Sequence, residues 1–224
     1  MQSVTSRAYP FRAVLFDMDG VLIDTTQMHY RVWETFAKAR GLELSLARLL
    51  ATNGRRGEET LRDWFGDGLT PGELATMLLE LEGLVREVFA TAPLAPIPGV
   101  HRFLEELRAA GVPWALGTSA APEMVEIALS RVGLAEHFPI RVTAADVTLG
   151  KPHPEVYLKA AAALGVPPEE CVVFEDAVTG LRAARAAGAL SVAFTTTFSR
   201  EVLLQETPTW LVEDFRALPF SERA

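Results

Sequence analysis

The chain has 224 residues, of which 49% are hydrophobic and 22% are charged, enough for one sizeable hydrophobic core. It carries 29 acidic against 21 basic side chains, a formal net charge of -8, so a general electrostatic attraction to nucleic acid or to anionic membranes is excluded. The single cysteine, Cys171, excludes an internal disulfide framework, and no apolar run approaches the roughly 20 residues that span a bilayer.

The first four residues, Met1 to Val4, contain no charged region followed by an apolar run. We therefore expect no signal peptide and a cytoplasmic protein. Its partners are expected to be small molecules, with neither nucleic acid nor membrane among them.

The first predicted element is a buried strand at 13–16, an apolar run that stops abruptly at Asp17. From about residue 25 to residue 92 the pattern predicts helices and no strand. One helix is predicted at 28–40. A second opens with a capping box at Thr70 and Glu73, has Pro71 at its first position and extends to about residue 89. The proline-rich segment 93–99 then reads as a stiff linker.

Beyond the linker, helical and strand patterns alternate. They are a helix at 100–110, a strand at 114–117, a helix at 123–132, a strand at 140–143, a helix at 154–164, a strand at 171–174, a helix at 177–187 and a strand at 190–194. Continuously apolar strands that alternate with helices indicate a parallel sheet covered on both faces. The predicted fold is α/β, a Rossmann-like sheet built from 1–24 and 94–224, with an α-helical insert at 25–93.

Polar side chains follow the predicted strands at the point where each strand ends. They are Asp17, Asp19, Thr118, Ser119, Lys151, Glu175 and Asp176. Because ligands bind at the carboxyl ends of the strands in open parallel sheets, these distant positions are expected to converge on one site.

This set of residues suits a phosphorylated ligand. Asp17 could act as a nucleophile or a metal ligand, and Asp19 as a general acid and base. Glu175 and Asp176 add the carboxylate oxygens that Mg²⁺ prefers. Lys151 supplies positive charge to a site that would otherwise repel phosphate.

Four segments resemble, in order, the four motifs of the haloacid dehalogenase-like hydrolase superfamily. They are 17–25 (DMDGVLIDT), 117–119 (GTS), 151–157 (KPHPEVY) and 174–180 (FEDAVTG). They span the predicted core, and the helical insert resembles the small cap of the family's β-phosphoglucomutase-like branch.

The resemblance implies a Mg²⁺-dependent phosphatase that acts on a small phosphorylated metabolite, perhaps a sugar phosphate, through an aspartyl-phosphate intermediate. It implies that Asp17 attacks phosphorus, that Asp19 acts as acid and base, and that Thr118 and Lys151 bind the transferring phosphoryl group. Mg²⁺ would be held by Asp17, the Asp19 carbonyl and Asp176, with Glu175 beside them. The residues expected near the substrate are Gly20, His29, Trp33, Arg55, Arg56 and Ser119.

Two alternatives stay open. A phosphosugar mutase of the β-phosphoglucomutase type would need an arginine where this chain has Gly57 and a lysine where it has Ala121. A serine hydrolase could use Ser119 in a G-x-S-x-G-like turn, although Ala121 replaces the last glycine. Hydrolysis of a phosphate monoester is the preferred interpretation.

Overall fold

A computed structural model describes residues 9–66 and 68–220, so the expected absence of a signal peptide at Met1 to Val4 falls outside it. The described chain forms a sheet of six parallel strands in the order β3-β2-β1-β4-β5-β6. The strands are β1 Ala13–Phe16, β2 Trp114–Gly117, β3 Arg141–Val142, β4 Cys171–Glu175, β5 Leu190–Phe194 and β6 Trp210–Val212. Strand order reverses at β1 and β4, and in open sheets a crevice forms outside the strand ends at such a point.

Helices account for about half of the remaining described chain. They are α1 Thr26–Lys38, α2 Leu46–Leu50, α3 Gly57–Phe65, α4 Pro71–Thr91, α5 Val100–Ala110, α6 Pro122–Arg131, α7 Glu155–Leu164, α8 Val178–Ala186 and α9 Arg200–Leu204. The predicted α/β class is therefore confirmed. No helix within the described ranges is both long enough and apolar enough to cross a membrane.

Side chains of β1 alternate between two cores, because successive residues of a strand point to opposite faces. Val14 and Phe16 join a cluster that includes side chains of α5 and α6. Ala13 and Leu15 join a second cluster with side chains of α7 and α8. Both faces of the sheet are thus covered, which explains why the strand is continuously apolar in sequence.

The helices α1 to α4 lie between β1 and α5 and have an apolar core of their own. Its buried members are Val32, Trp33, Phe36, Leu49, Leu61, Leu74 and Leu81. Residues 25–66 and 68–92 contain no strand, as expected. The predicted capping box opens α4: the Glu73 backbone N–H donates to Thr70 Oγ1 at 3.3 Å, and the Thr70 N–H donates to Glu73 Oε2 at 2.9 Å. Such a cap contributes about 1 kcal/mol.

The structure differs from the sequence-based expectations in short elements. The helices α2, α3 and α9 and the strand β6 were not predicted. An apolar period cannot repeat within α2, α9 or β6, which have five residues or fewer, and α3 buries only Thr60 and Leu61. The predicted linker 93–99 pairs with the segment after β1. The Asp24 N–H donates to the Ala95 carbonyl at 3.1 Å, and the Ile97 N–H donates to the Leu22 carbonyl at 2.9 Å.

Candidate active site

The loop after β1 brings Asp17 to the strand ends and turns sharply at Gly20. Gly20 has a φ of 71°, the left-handed region that favours glycine. A Cβ at this position would also collide with the carboxylate of Asp176. The Thr196 hydroxyl donates to the Gly20 carbonyl at 2.6 Å and holds the turn in place. Glycine is therefore required here both by the backbone and by the close approach of Asp176.

Lys151 is the buried cation of the site. Its Nζ donates to Asp17 Oδ1 at 2.8 Å and to Glu175 Oε1 at 2.7 Å, and its side chain is 1% exposed. Burial alone would lower the pKa of Lys151, but the charges of Asp17 and Glu175 raise it above its usual range. Lys151 therefore carries a fixed positive charge beside Asp17.

Glu175, the last residue of β4, is held by four donors. Its Oε1 accepts from Lys151 and, at 2.7 Å, from the Tyr157 hydroxyl. Its Oε2 accepts from the backbone N–H groups of Asp176 and Ala177, at 2.9 Å each. Because both carboxylate oxygens are occupied in this way, the direct effect of Glu175 is to orient Lys151.

The carboxylates of Asp17, Glu175 and Asp176 each offer an oxygen within 4.8 Å of the other two. Burial raises the pKa of Asp17 to about 7, against the opposing effect of Lys151. Burial and the neighbouring charges of Glu175 and Asp17 raise the pKa of Asp176 well above its usual range. A divalent cation would relieve this repulsion, and hard oxygen donors of this kind fit Mg²⁺.

Asp19 lies two residues after Asp17 and is held by the first helix of the insert. The hydroxyl of Thr25 donates to Asp19 Oδ1 at 2.6 Å, and Nε2 of His29 lies 3.0 Å from the same oxygen. Burial would raise the pKa of Asp19, but the charge of His29 and its hydrogen bonds lower it. Asp19 is thus kept as a carboxylate in this arrangement.

Thr118 and Ser119 follow β2 at the same edge of the sheet. Thr118 is buried, and its Oγ1 accepts from the Ala120 N–H at 3.2 Å. The hydroxyl of Ser119 donates to the Gly54 carbonyl, in the loop between α2 and α3, at 2.8 Å. Ser119 thus contacts the insert, and its hydrogen bond gives no support to the serine-hydrolase alternative, which needs a histidine as partner.

Ten of the predicted site residues line a cavity of about 450 Å³ between the strand ends and the insert. They are Asp17, Asp19, Gly20, His29, Trp33, Arg55, Arg56, Thr118, Ser119 and Asp176. The other two, Lys151 and Glu175, are fully buried. Lys151 contacts Asp17, and Glu175 contacts Lys151. The topology therefore brings together positions that are up to 159 residues apart, from Asp17 to Asp176.

Arg55 and Arg56, which were expected near the substrate, both contact other residues of the protein. Arg55 is paired with Asp63 and lies 3.9 Å from Glu59, and Arg56 donates to the Thr148 carbonyl at 2.9 Å. Both residues line the cavity, while carboxylates or a carbonyl oxygen hold their guanidinium groups.

Thr197 is a site residue that the sequence did not lead us to predict. Its hydroxyl donates to Asp176 Oδ2 and lies 3.0 Å from the hydroxyl of Thr26, the first residue of α1. It also lines the cavity. The available signal was the run of three threonines, 195–197, directly after the predicted strand 190–194 and hence at the same sheet edge.

Known proteins resemble this chain over most of its length. Residues 11–188 match the family model described as haloacid dehalogenase-like hydrolase. The validoxylamine A 7'-phosphate phosphatase of Streptomyces hygroscopicus subsp. limoneus is 32% identical over 203 residues, which cover 87% of this chain and 91% of that protein. The fructose-1-phosphate phosphatase YqaB of Escherichia coli (strain K12) is 33% identical over 183 residues, covering 80% and 93% respectively.

A solved structure has a similar fold over nearly the whole chain. The crystal structure of β-phosphoglucomutase from Clostridium difficile has a TM-score of 0.83 to this chain and covers 94% of each protein. The sequence identity is 23%, so this similarity shows the fold alone.

Proposed function

Because the chain belongs to the haloacid dehalogenase-like hydrolase family, we propose that it is a Mg²⁺-dependent phosphatase that hydrolyses a small phosphorylated metabolite through an aspartyl-phosphate intermediate. The observation that carries the proposal is the contact of buried Lys151 Nζ, at 2.8 Å, with Oδ1 of Asp17, a residue that lines the cavity. Sugar phosphates are the preferred substrates, a choice supported by the fructose-1-phosphate phosphatase among the relatives.

In the first step, a carboxylate oxygen of Asp17 attacks phosphorus and the bond from phosphorus to the ester oxygen breaks. Lys151 orients Asp17 and offsets the negative charge of the phosphoryl group. Thr118, buried at the end of β2, is placed to bind a phosphoryl oxygen. Glu175 serves this step by fixing Lys151.

Asp19 donates a proton to the leaving oxygen in that step. In the second step it takes a proton from water as the water oxygen attacks phosphorus and the bond to Asp17 breaks. His29 and Thr25 lower the pKa of Asp19 against the effect of burial. A phosphate dianion beside it would raise the pKa again, because a nearby negative charge disfavours the carboxylate. Asp19 is thereby prepared to act as an acid once substrate is bound.

Asp17 and Asp176, with the backbone carbonyl of Asp19, are the proposed holders of Mg²⁺. The raised pKa values of Asp17 and Asp176 support this assignment, since both reflect burial of carboxylates beside like charges. When bound, the cation would neutralise the charge that develops on the phosphoryl oxygens.

Residues 25–93 are proposed to form a cap over the site. The separate apolar core of α1 to α4 supports this boundary. The mutase alternative loses support, because Arg55 and Arg56, the arginines nearest the position it requires, are held by the insert or by the loop at Thr148.

The test is release of phosphate from 4-nitrophenyl phosphate with Mg²⁺ and with a chelator. We expect Mg²⁺-dependent turnover by the wild type, and a loss of at least about 1,000-fold in Asp17→Asn because the nucleophile is removed. No release by the wild type with Mg²⁺ would contradict the phosphatase proposal.

A matched control is Asp214→Asn, which changes a carboxylate outside the cavity that caps the short helix 215–217. Its turnover should stay close to that of the wild type. Full turnover by Asp17→Asn would overturn the aspartyl-phosphate route through Asp17 but not the hydrolysis of phosphate esters itself.

A further inference from the structure

The cavity is lined by two chemically different groups of side chains. The catalytic end is formed by Asp17, Asp19, Thr118 and Asp176. Side chains of α1 and α4 also line the cavity, and they are here named the apolar wall: Val32, Trp33, Leu78, Leu81, Val85 and Phe89. A phosphoryl group bound at the catalytic end leaves the rest of the substrate to contact this wall.

The insert's end of the cavity offers no free positive charge within the described residues. Arg55 is paired with Asp63, and Arg56 lies 4.0 Å from Glu58 while it donates to the Thr148 carbonyl. His29, the other lining residue that can carry positive charge, is paired with Asp19.

Negative charge lies at the same end. Glu58, which is paired with Arg62, and Glu82 both line the cavity, and Glu82 makes no ion pair with any described residue. A second phosphate dianion brought to this end would meet carboxylates and apolar side chains. Binding there would require the dianion to lose water without gaining a partner.

The cavity is also larger than a phosphoryl group requires. Its volume of about 450 Å³ lies within the range of sites that enclose whole small-molecule ligands. Within the apolar wall, Leu78 and Val85 are half-buried, so a ligand with an apolar face would displace water from these two side chains, whereas a short polar ester would not.

We propose, building on the phosphatase function above, that the substrate carries a single phosphate and presents an apolar face to the apolar wall. The class meant is a monophosphate of a ring or chain with an apolar face, and compounds with a second phosphate are rejected. The proposal rests on the paired arginines, on Glu58 and Glu82, and on the composition of the wall.

Three compounds that differ only at C1 provide the test: glucose 6-phosphate, phenyl β-glucoside 6-phosphate and glucose 1,6-bisphosphate. We measure total phosphate release for kcat/KM, and the inhibition constant of each compound against 4-nitrophenyl phosphate. Whichever phosphate of the bisphosphate is bound at the catalytic end, the other one meets the insert's end of the cavity.

The phenyl glucoside is expected to exceed glucose 6-phosphate about tenfold in kcat/KM, the lower end of what added apolar contact gives in a pocket. The bisphosphate is expected to fall about tenfold below glucose 6-phosphate. Inhibition constants should follow the same order. A bisphosphate that equals or exceeds glucose 6-phosphate would overturn the proposal, and so would a phenyl glucoside that is no better.

Variants of two neighbouring leucines on α4 distinguish an effect of the apolar wall on substrate preference from a general effect of changing the helix. Leu78 lines the cavity, whereas Leu79 is 69% exposed and lies outside it. Leu78→Gln should remove most of the preference for the phenyl glucoside, and Leu79→Gln should keep it. Equal preferences in the two variants would contradict a role for the wall.

Failure of the phosphatase proposal can be distinguished from failure of this proposal about the substrate. If no compound releases phosphate, the binding order of the same three compounds to the wild type, measured by calorimetry with Mg²⁺, still tests the substrate class. The order phenyl glucoside, glucose 6-phosphate, bisphosphate supports the proposal, and any other order overturns it.

Discussion

The hydroxyl of Thr197 connects a carboxylate of the site to the beginning of the insert. It donates to Asp176 Oδ2 and lies 3.0 Å from the hydroxyl of Thr26. Groups that hydrogen-bond a metal ligand fix its orientation, and their loss typically weakens metal binding by 10–100-fold. We infer that Thr197 positions Asp176.

Thr197→Val should weaken Mg²⁺ binding about tenfold, because Asp176 loses the donor that orients it. Calorimetric titration of the protein with Mg²⁺ measures this directly, without turnover. Thr197→Ser should restore most of the affinity, since it keeps the hydroxyl. Thr195→Val is the matched control, because the Thr195 hydroxyl contacts the Val212 carbonyl instead. Unchanged affinity in Thr197→Val would contradict the positioning role.

The sequence made the catalytic end predictable and left the pairing of the arginines open. Asp17 and Asp176 follow apolar runs, and the carboxyl ends of parallel strands share one edge. Arg55 lies in a loop whose partners depend on α3, a helix of nine residues that was not predicted. Which carboxylate a loop arginine contacts depends on side-chain geometry. The spacing of apolar residues in the sequence carries no information about that geometry.

At the scale of elements, α8 begins against the carboxylate that fixes the buried lysine. Gly180 lies within the first turn of α8, and a Cβ there would collide with the carboxylate of Glu175. Glu175 cannot move without breaking its contacts with Lys151 and Tyr157. The helix α8 can therefore pack closely on β4 only because residue 180 is a glycine, which has no side chain.

Gly180→Ala should lower the free energy of unfolding by about 1–3 kcal/mol, the usual effect of overpacking, and should reduce phosphatase activity. Gly83→Ala, within α4, provides the matched comparison because a Cβ there meets nothing within 4 Å. That change should stabilise the protein by about 0.5–1 kcal/mol through helix propensity. Urea unfolding measures both, and a Gly180→Ala protein as stable as the wild type would contradict the packing described here.

The helix α5 was predictable from the sequence, whereas the strand β6 was not. The helix α5 was expected at 100–110 and is found at Val100–Ala110, because four apolar residues repeat on one face and Gly111 ends it. The strand β6 has three residues, Trp210–Val212, and lies at the edge of the sheet. Three residues contain too little alternation to distinguish a strand from a loop.

At the scale of the whole molecule, the insert is tied to the core through the loop at Asn53 and Gly54. The Thr179 hydroxyl donates to the Asn53 carbonyl at 3.0 Å, and the Ser119 hydroxyl donates to the Gly54 carbonyl at 2.8 Å. Arg86 of α4 also forms two hydrogen bonds with Glu123 of α6. These contacts hold the insert over the strand ends.

Thr179→Val should lower kcat/KM about fivefold, because one hydrogen bond of about 1 kcal/mol no longer favours the docked insert. The change should appear mainly in KM if docking completes the binding site. Thr76→Val is the matched control, since the Thr76 hydroxyl donates to the Gly72 carbonyl within α4. Equal kcat/KM values for the two variants would show that the Asn53 contact does not control docking.

The apolar wall has a consequence for engineering. Leu78, Leu81 and Val85 lie three and four residues apart, so they share one face of α4. The groups proposed to transfer the phosphoryl group belong to other elements, at the strand ends. A small combinatorial library at those three positions would therefore explore new substrates while the reacting groups stay fixed, which makes α4 a convenient target for directed evolution.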